Sequence, residues 1–227
     1  MHVRMAFGIV AALAGSAATA QAQDKQRNSE IYHIFDIRTA AAKSAVTKAA
    51  EAGLRSNVSD SDITTPIVMG PPPEKPGRME IVNALDSKSF GGLAGLMSAG
   101  QALQFKQARC DGAIWIANAN RRVRGSQQLR LTFCLYPYRD GYQLDVYGID
   151  SKERGGGISA MLGRALAETV VGKAGDWTNK TILDVVRSIR NQTQATISYV
   201  EGQPEFTGTP WEENDALLPH ATEREAR

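Results

Sequence analysis

The chain has 227 residues, of which 42% are hydrophobic, 22% charged and 7% aromatic. This is globular composition; it excludes a mostly disordered or collagen-like chain, and a count of two cysteines excludes a cysteine-dense mini-scaffold. The net charge of +2, from 26 Lys and Arg against 24 Asp and Glu, argues against nucleic acid as a partner, because dedicated binders are strongly basic.

Residues 1–22 have the order of a secretory signal peptide: Arg4, an apolar run from Ala6 to Ala14, small residues from Gly15 to Ala18, and the A-x-A site Ala20-Gln21-Ala22. The apolar run is shorter than the ~20 residues that span a ~30 Å hydrocarbon core, so cleavage is expected in preference to a membrane anchor. The mature chain then begins near Gln23, with no transmembrane segment, and is periplasmic or secreted from a bacterium. A single domain over 23–206 follows, then a flexible tail over 207–227.

Ile31 to Arg38, rich in Ile, Tyr and Phe, reads as a strand. Thr39 is placed to cap a helix from Ala40 to Arg55 whose inner face is Val46, Ala49, Ala50, Gly53 and Leu54. Ile63 to Met69 reads as a short strand. Pro71-Pro72-Pro73 and Pro76-Gly77 form a stiff loop, and Arg78 to Leu85 resumes as a strand with Met79, Ile81 and Leu85 on one side. Phe90 to Phe105 carries four glycines and no charge before Phe105; it reads as a small-residue helix packed on the sheet or as an apolar flap.

Ala113–Ala119, Leu129–Tyr138 and Tyr142–Ile149 read as an antiparallel meander. With Asp140-Gly141 as a two-residue turn, Leu135 faces Val146 and Cys134 faces Tyr147. Leu129, Leu131, Phe133, Leu135, Leu144 and Val146 then share the core face, and Cys134, Tyr136, Tyr138, Asp145 and Tyr147 share the other. Helical spacing recurs over Ile158–Val170 and again from Asp176 or Thr178, where Ile182, Val185, Val186 and Ile189 point inward and Lys180, Asp184, Arg187 and Arg190 point to water. Ala195 to Val200 closes as a strand. The fold class is α+β: a mainly antiparallel sheet of about five or six strands with about three helices packed largely on one face.

After export, Cys110 and Cys134 are expected to form a disulfide, with two buried free thiols as the alternative. Of three histidines, only His33 lies in the expected domain, which disfavours His-rich metal sites; no metal site is assigned. Gly155-Gly156-Gly157-Ile158-Ser159-Ala160 matches a loose dinucleotide pattern but follows a hairpin rather than a βαβ unit, so it reads as a joint and no cofactor is assigned. Arg121, Arg122 and Arg124 on one meander turn are either a solvated turn or a contact for an anionic envelope polymer or lipid. Tyr136, Tyr138, Tyr147 and Asp145 form a binding surface only if nothing covers them. The sequon Asn57-Val58-Ser59, and those at Asn179 and Asn191, matter only in a eukaryotic host.

The leading function is therefore an exported, non-enzymatic envelope protein that binds or scaffolds a partner, either another envelope protein or an anionic polymer or lipid. The alternatives are a secreted hydrolase using carboxylates, or Ser with His33, for which Asp145, Asp150 and Glu201 are the candidate acids, and an inhibitor or immunity-type binding protein.

Overall fold

A computed structural model describes residues 27–83, 105–123, 127–152 and 174–213. The main sheet has six strands, all antiparallel to their neighbours: β1 (Arg27–Arg38), β2 (Ser61–Thr64), β5 (Trp115–Val123), β6 (Gln127–Tyr138), β7 (Gly141–Lys152) and β8 (Thr196–Gln203). Their spatial order is β2-β5-β6-β7-β1-β8. β3 (Glu80–Asn83) and β4 (Lys106–Arg109) form a separate two-stranded ribbon, with Glu80 paired opposite Arg109. Among the described residues there are two helices rather than about three, α1 (Lys43–Arg55) and α2 (Ala174–Thr193). The helix expected over Ile158–Val170, the Gly155–Ala160 joint, nearly all of the Phe90–Phe105 stretch and the signal segment lie outside the described residues.

Both helices cover one face of the sheet. Val46, Ala49, Ala50 and Leu54 of α1 and Ile182, Val185, Val186 and Ile189 of α2 are fully buried, in one cluster with Phe35, Leu131, Phe133, Leu135, Leu144 and Val146. The helical spacing in the sequence is the cause, since residues three and four apart share a face. Small residues let the two helices approach closely enough for the Ser188 hydroxyl to donate to the Ala49 carbonyl at 2.6 Å. Asp184 corrects the sequence reading: it is buried, and it accepts from the Asn57 side-chain amide at 2.7 Å and pairs with Lys180 and Arg187. Thr39 does not cap α1 either. The helix starts at Lys43 behind Ala42, and the Thr39 hydroxyl instead accepts from the Ala41 amide and donates to the Thr193 carbonyl.

The β6–β7 hairpin keeps the expected faces but not the expected register. Tyr138 pairs with Gly141, Leu135 with Leu144 and Cys134 with Asp145, so the turn is Arg139-Asp140 and each pair differs from expectation by two residues. A two-residue slip preserves which side every chain points to, because side chains alternate with period two. Gly141 is fixed by its neighbours rather than by the turn alone. It has φ +152° and pairs with both Tyr138 and Arg38, and a Cβ there would run into the Ile37 carbonyl and Arg38 Cα.

Two other stretches depart from the sequence reading. β2 ends at Thr64, and beyond it Ile67 and Met69 are exposed while Val68 packs on the core. Trp211 falls in the span expected to be loose, yet it is 4% exposed and packs edge-on against Phe35 and stacked on Tyr199, with ring centres at 5.7 and 5.5 Å.

The second face of the sheet is covered by the ribbon and the chain leading into it. Cys110 at the end of β4 is bonded to Cys134 in the middle of β6, with their Cα atoms 5.6 Å apart. Tyr136, Met79, Ala108 and Ile116 pack around this bridge. The loop between the cysteines spans 24 residues. Replacing both cysteines by serine is expected to lower the unfolding free energy by about 3–4 kcal/mol, measured by urea unfolding of the oxidised parent and the double variant; equal midpoints would show that the bridge adds nothing.

Candidate functional site

Alternation along β1 sorts its side chains between two environments. Ile31, His33, Phe35 and Ile37 point to the helices, whereas Glu30, Tyr32, Ile34 and Asp36 point to the ribbon side. The pairings extend this sorting to β7, because Tyr32 sits opposite Tyr147 and Ile34 opposite Asp145. The expected tyrosine and acid set therefore does share one face, but that face is covered: Tyr136 and Asp145 are fully buried, Tyr147 is 4% exposed and Tyr138 8%.

The cover is held by specific bonds. Asp145 accepts the Met79 backbone N–H and the Gln143 side-chain amide, each at 2.8 Å, and the same amide reaches the Gly77 carbonyl at 3.2 Å. Burial pushes the Asp145 pKa up, and these two bonds and the Arg78 charge pull it back down. Gly77 lies so close to Tyr136 that an added Cβ would sit 2.7 Å from the ring, so only glycine lets the chain pass there. Tyr138 donates to Asp36 at 2.5 Å, and burial with this bond pushes its pKa up to about 12. Tyr147 donates to Glu30 at 2.5 Å, and burial and that carboxylate push its pKa up as well.

Beside this cover an open cleft of about 680 Å³ remains, within the size range of small-molecule sites. Its floor is Glu30, Tyr32 and Ile34 of β1 with Tyr147 of β7; Arg78, Met79 and Ile81 form one wall, and Glu201 and Gln203 of β8 form the end. A β-bulge places the end wall. Tyr199 pairs with Phe35 and Glu201 with Ile34, so Val200 is the extra residue and is half exposed. The bulge lets Tyr199 face the helices while Glu201, two positions on but only one pair along, faces the cleft. Arg78 and Glu201 form an ion pair across the gap. At the other end the Lys106 ammonium reaches both oxygens of Glu30 at 3.0 and 2.9 Å.

His33 lies on the opposite side of the sheet from Asp145, so the two residues named for a hydrolase do not meet. His33 is fully buried, with Nδ1 2.9 Å from the Tyr199 hydroxyl and its ring stacked at 4.3 Å on Phe206. Among the described residues its Nε2 has no hydrogen-bond partner. Arg121 and Arg122 belong to β5 rather than to a turn. The Arg121 guanidinium stands 5.0 Å from the centre of the Trp177 ring; the side chain of Arg122 and all of Arg124 lie outside the described part. Glu30, Tyr32, Arg78 and Gln203 are absent from the sequence-derived site. For Glu30 and Tyr32 the one signal was the alternation Glu30-x-Tyr32-x-Ile34-x-Asp36, which places polar and aromatic groups on a single strand face; Arg78 and Gln203 had no such signal.

Among the described residues no helix is long and apolar enough to cross a membrane, and no group of three or more His, Cys, Asp or Glu is placed to hold a metal ion. Compared with protein-family models, curated proteins and solved structures, the chain matches none.

Burial lowers the His33 pKa from 6.5 to about 4. The unfolded chain therefore binds the extra proton first as pH falls. The stability from neutral His33 is complete above about pH 6.5 and declines through the window, by about 3 kcal/mol near pH 4. Asp145 acts with the opposite sign: its raised folded pKa removes stability as pH rises above 3.8. Subtracting the urea-unfolding profile of His33→Phe from that of the parent isolates the histidine. The difference is expected to rise steeply from pH 4 to 6.5 and then flatten, and parallel profiles would contradict a neutral buried imidazole.

Proposed function

We propose that this chain is an exported, non-enzymatic binding protein of the cell envelope that receives its partner in the cleft bounded by β1, β8 and residues 78–81. The observation that carries the reading is the cleft itself: a concavity of about 680 Å³ whose lining comes from four separate segments and whose three charged groups, Glu30, Arg78 and Glu201, are already held by one another or by a neighbour. Such groups are pre-organised, and little ordering entropy remains to be lost on association. The disulfide and the signal-like N-terminus support an oxidising compartment.

Binding is favoured over hydrolysis by where the titratable groups stand. The two cleft carboxylates each face a cation, rather than the apolar pocket in which a general acid is kept protonated. His33 and Asp145 are enclosed on opposite faces. The arginines at the end of β5 contribute less to this reading, since Arg121 is engaged with Trp177.

The test places a photo-crosslinking side chain at Ile81, in the cleft wall, or at Lys48, on the exposed face of α1, in cells expressing the full chain. A discrete adduct in the envelope fraction from Ile81 and none from Lys48 is expected, on a product that begins near Gln23. A cytosolic product that retains Met1, or the same labelling at both positions, would overturn the proposal.

A further inference from the structure

Resting on the reading of this cleft as the binding site, we infer that its ligand is a short neutral oligosaccharide. The inference follows from charge pairing. A site for an anion needs spare positive charge, but Arg78 is paired with Glu201 and Lys106 with Glu30. A cationic ligand needs spare negative charge, and both carboxylates are already neutralised by those two partners. A lipid chain would leave carboxylates, a guanidinium and an amide facing hydrocarbon, which is costly when their hydrogen bonds are unmade.

A polyhydroxylated neutral ligand meets none of these objections. Each sugar hydroxyl is both a donor and an acceptor. It donates to the remaining lone pairs of Glu30 or Glu201 and accepts from the free N–H groups of Arg78 or the Gln203 amide, leaving both ion pairs in place. The floor supplies the second half of the recognition. Tyr32 is half-buried between Glu30 and Ile34, with Met79 on the adjoining wall, so aromatic and apolar surface lies within reach of the C–H face of a pyranose ring while polar groups rim it. The openness of the cleft at the sheet edge suits a chain of a few sugar rings rather than an enclosed small metabolite.

The experiment titrates the ¹⁵N-labelled, oxidised mature chain with two neutral trimers, triacetylchitotriose and maltotriose, and with two charged ones, the deacetylated chitosan trimer and trigalacturonic acid. At least one neutral trimer is expected to move the amide signals of Tyr32, Met79 and Glu201, with an affinity that changes by less than about twofold between low and high salt. That affinity is expected to fall by roughly tenfold in Glu201→Gln and in Tyr32→Ala. Glu201 is partly exposed, so its variant tests the proposal even if Tyr32→Ala fails to fold. Failure of both neutral trimers to move these amides at concentrations of about 10 mM, or tighter and salt-sensitive binding of a charged trimer, overturns the inference. Crosslinking from Ile81 separates the two levels: an adduct together with silent neutral trimers overturns only the ligand class, whereas loss of the Ile81 adduct overturns the cleft as the binding site.

Discussion

Asp145 sits at the centre of a sheet that is covered on both faces, and its carboxylate takes the Met79 N–H and the Gln143 amide at 2.8 Å each. A buried carboxylate left without partners costs several kcal/mol, whereas hydrogen bonds to a charged group return about 1.5–3 kcal/mol each. The acid is therefore bearable in that position only while the segment at 77–79 lies over it, and the segment is held there by the acid. The disulfide acts on the same cover from the other end, fixing the close of β4 to β6. Between these two anchors the ribbon is held against the tyrosines. Its near edge becomes a wall, and β1 and β8 complete the cleft.

The two sides of β1 divide the titratable groups by physical role. On the helix side, His33, Phe35, Tyr199, Phe206 and Trp211 form a packed aromatic cluster, with ring centres 4.3 to 6.5 Å apart. That cluster binds the last described segment of the chain to the core. On the ribbon side, Glu30 and Glu201 stay partly solvated and paired with cations. The helix side of β1 is therefore closed by aromatic packing, whereas the ribbon side, beside its buried tyrosines, keeps paired carboxylates with hydrogen-bonding capacity toward solvent.

Local periodicity made much of the frame legible. The inner faces of both helices and the two faces of the β6–β7 hairpin follow from spacing alone, and the Cys110–Cys134 bridge follows from an even pair of cysteines behind a signal-like N-terminus. What could not be read depends on contacts distant in sequence. The hairpin register was set by Gly141 lying against β1, more than a hundred residues away, so the turn chemistry of Asp140-Gly141 misled by two residues. Asp184 looked solvent-facing because its helical position allows it, and its burial depends on Asn57, distant in sequence, as well as on Lys180 and Arg187 of its own helix. The tyrosine face looked open or helix-covered; in fact a proline- and glycine-bearing segment with little periodicity of its own covers it. The cleft was least legible of all, because it needs the bulge at Val200 and the crossing of residues 78–81, neither of which has a sequence signature.

Asp145 holds this cover through the Met79 amide. Amide hydrogen exchange of Met79 in the oxidised chain reads that bond directly. Protection on the order of 100-fold or more is predicted in the parent, falling sharply in Asp145→Ala while amides of α1 stay protected. Exchange of Met79 in the parent at the rate of an exposed loop would contradict the account.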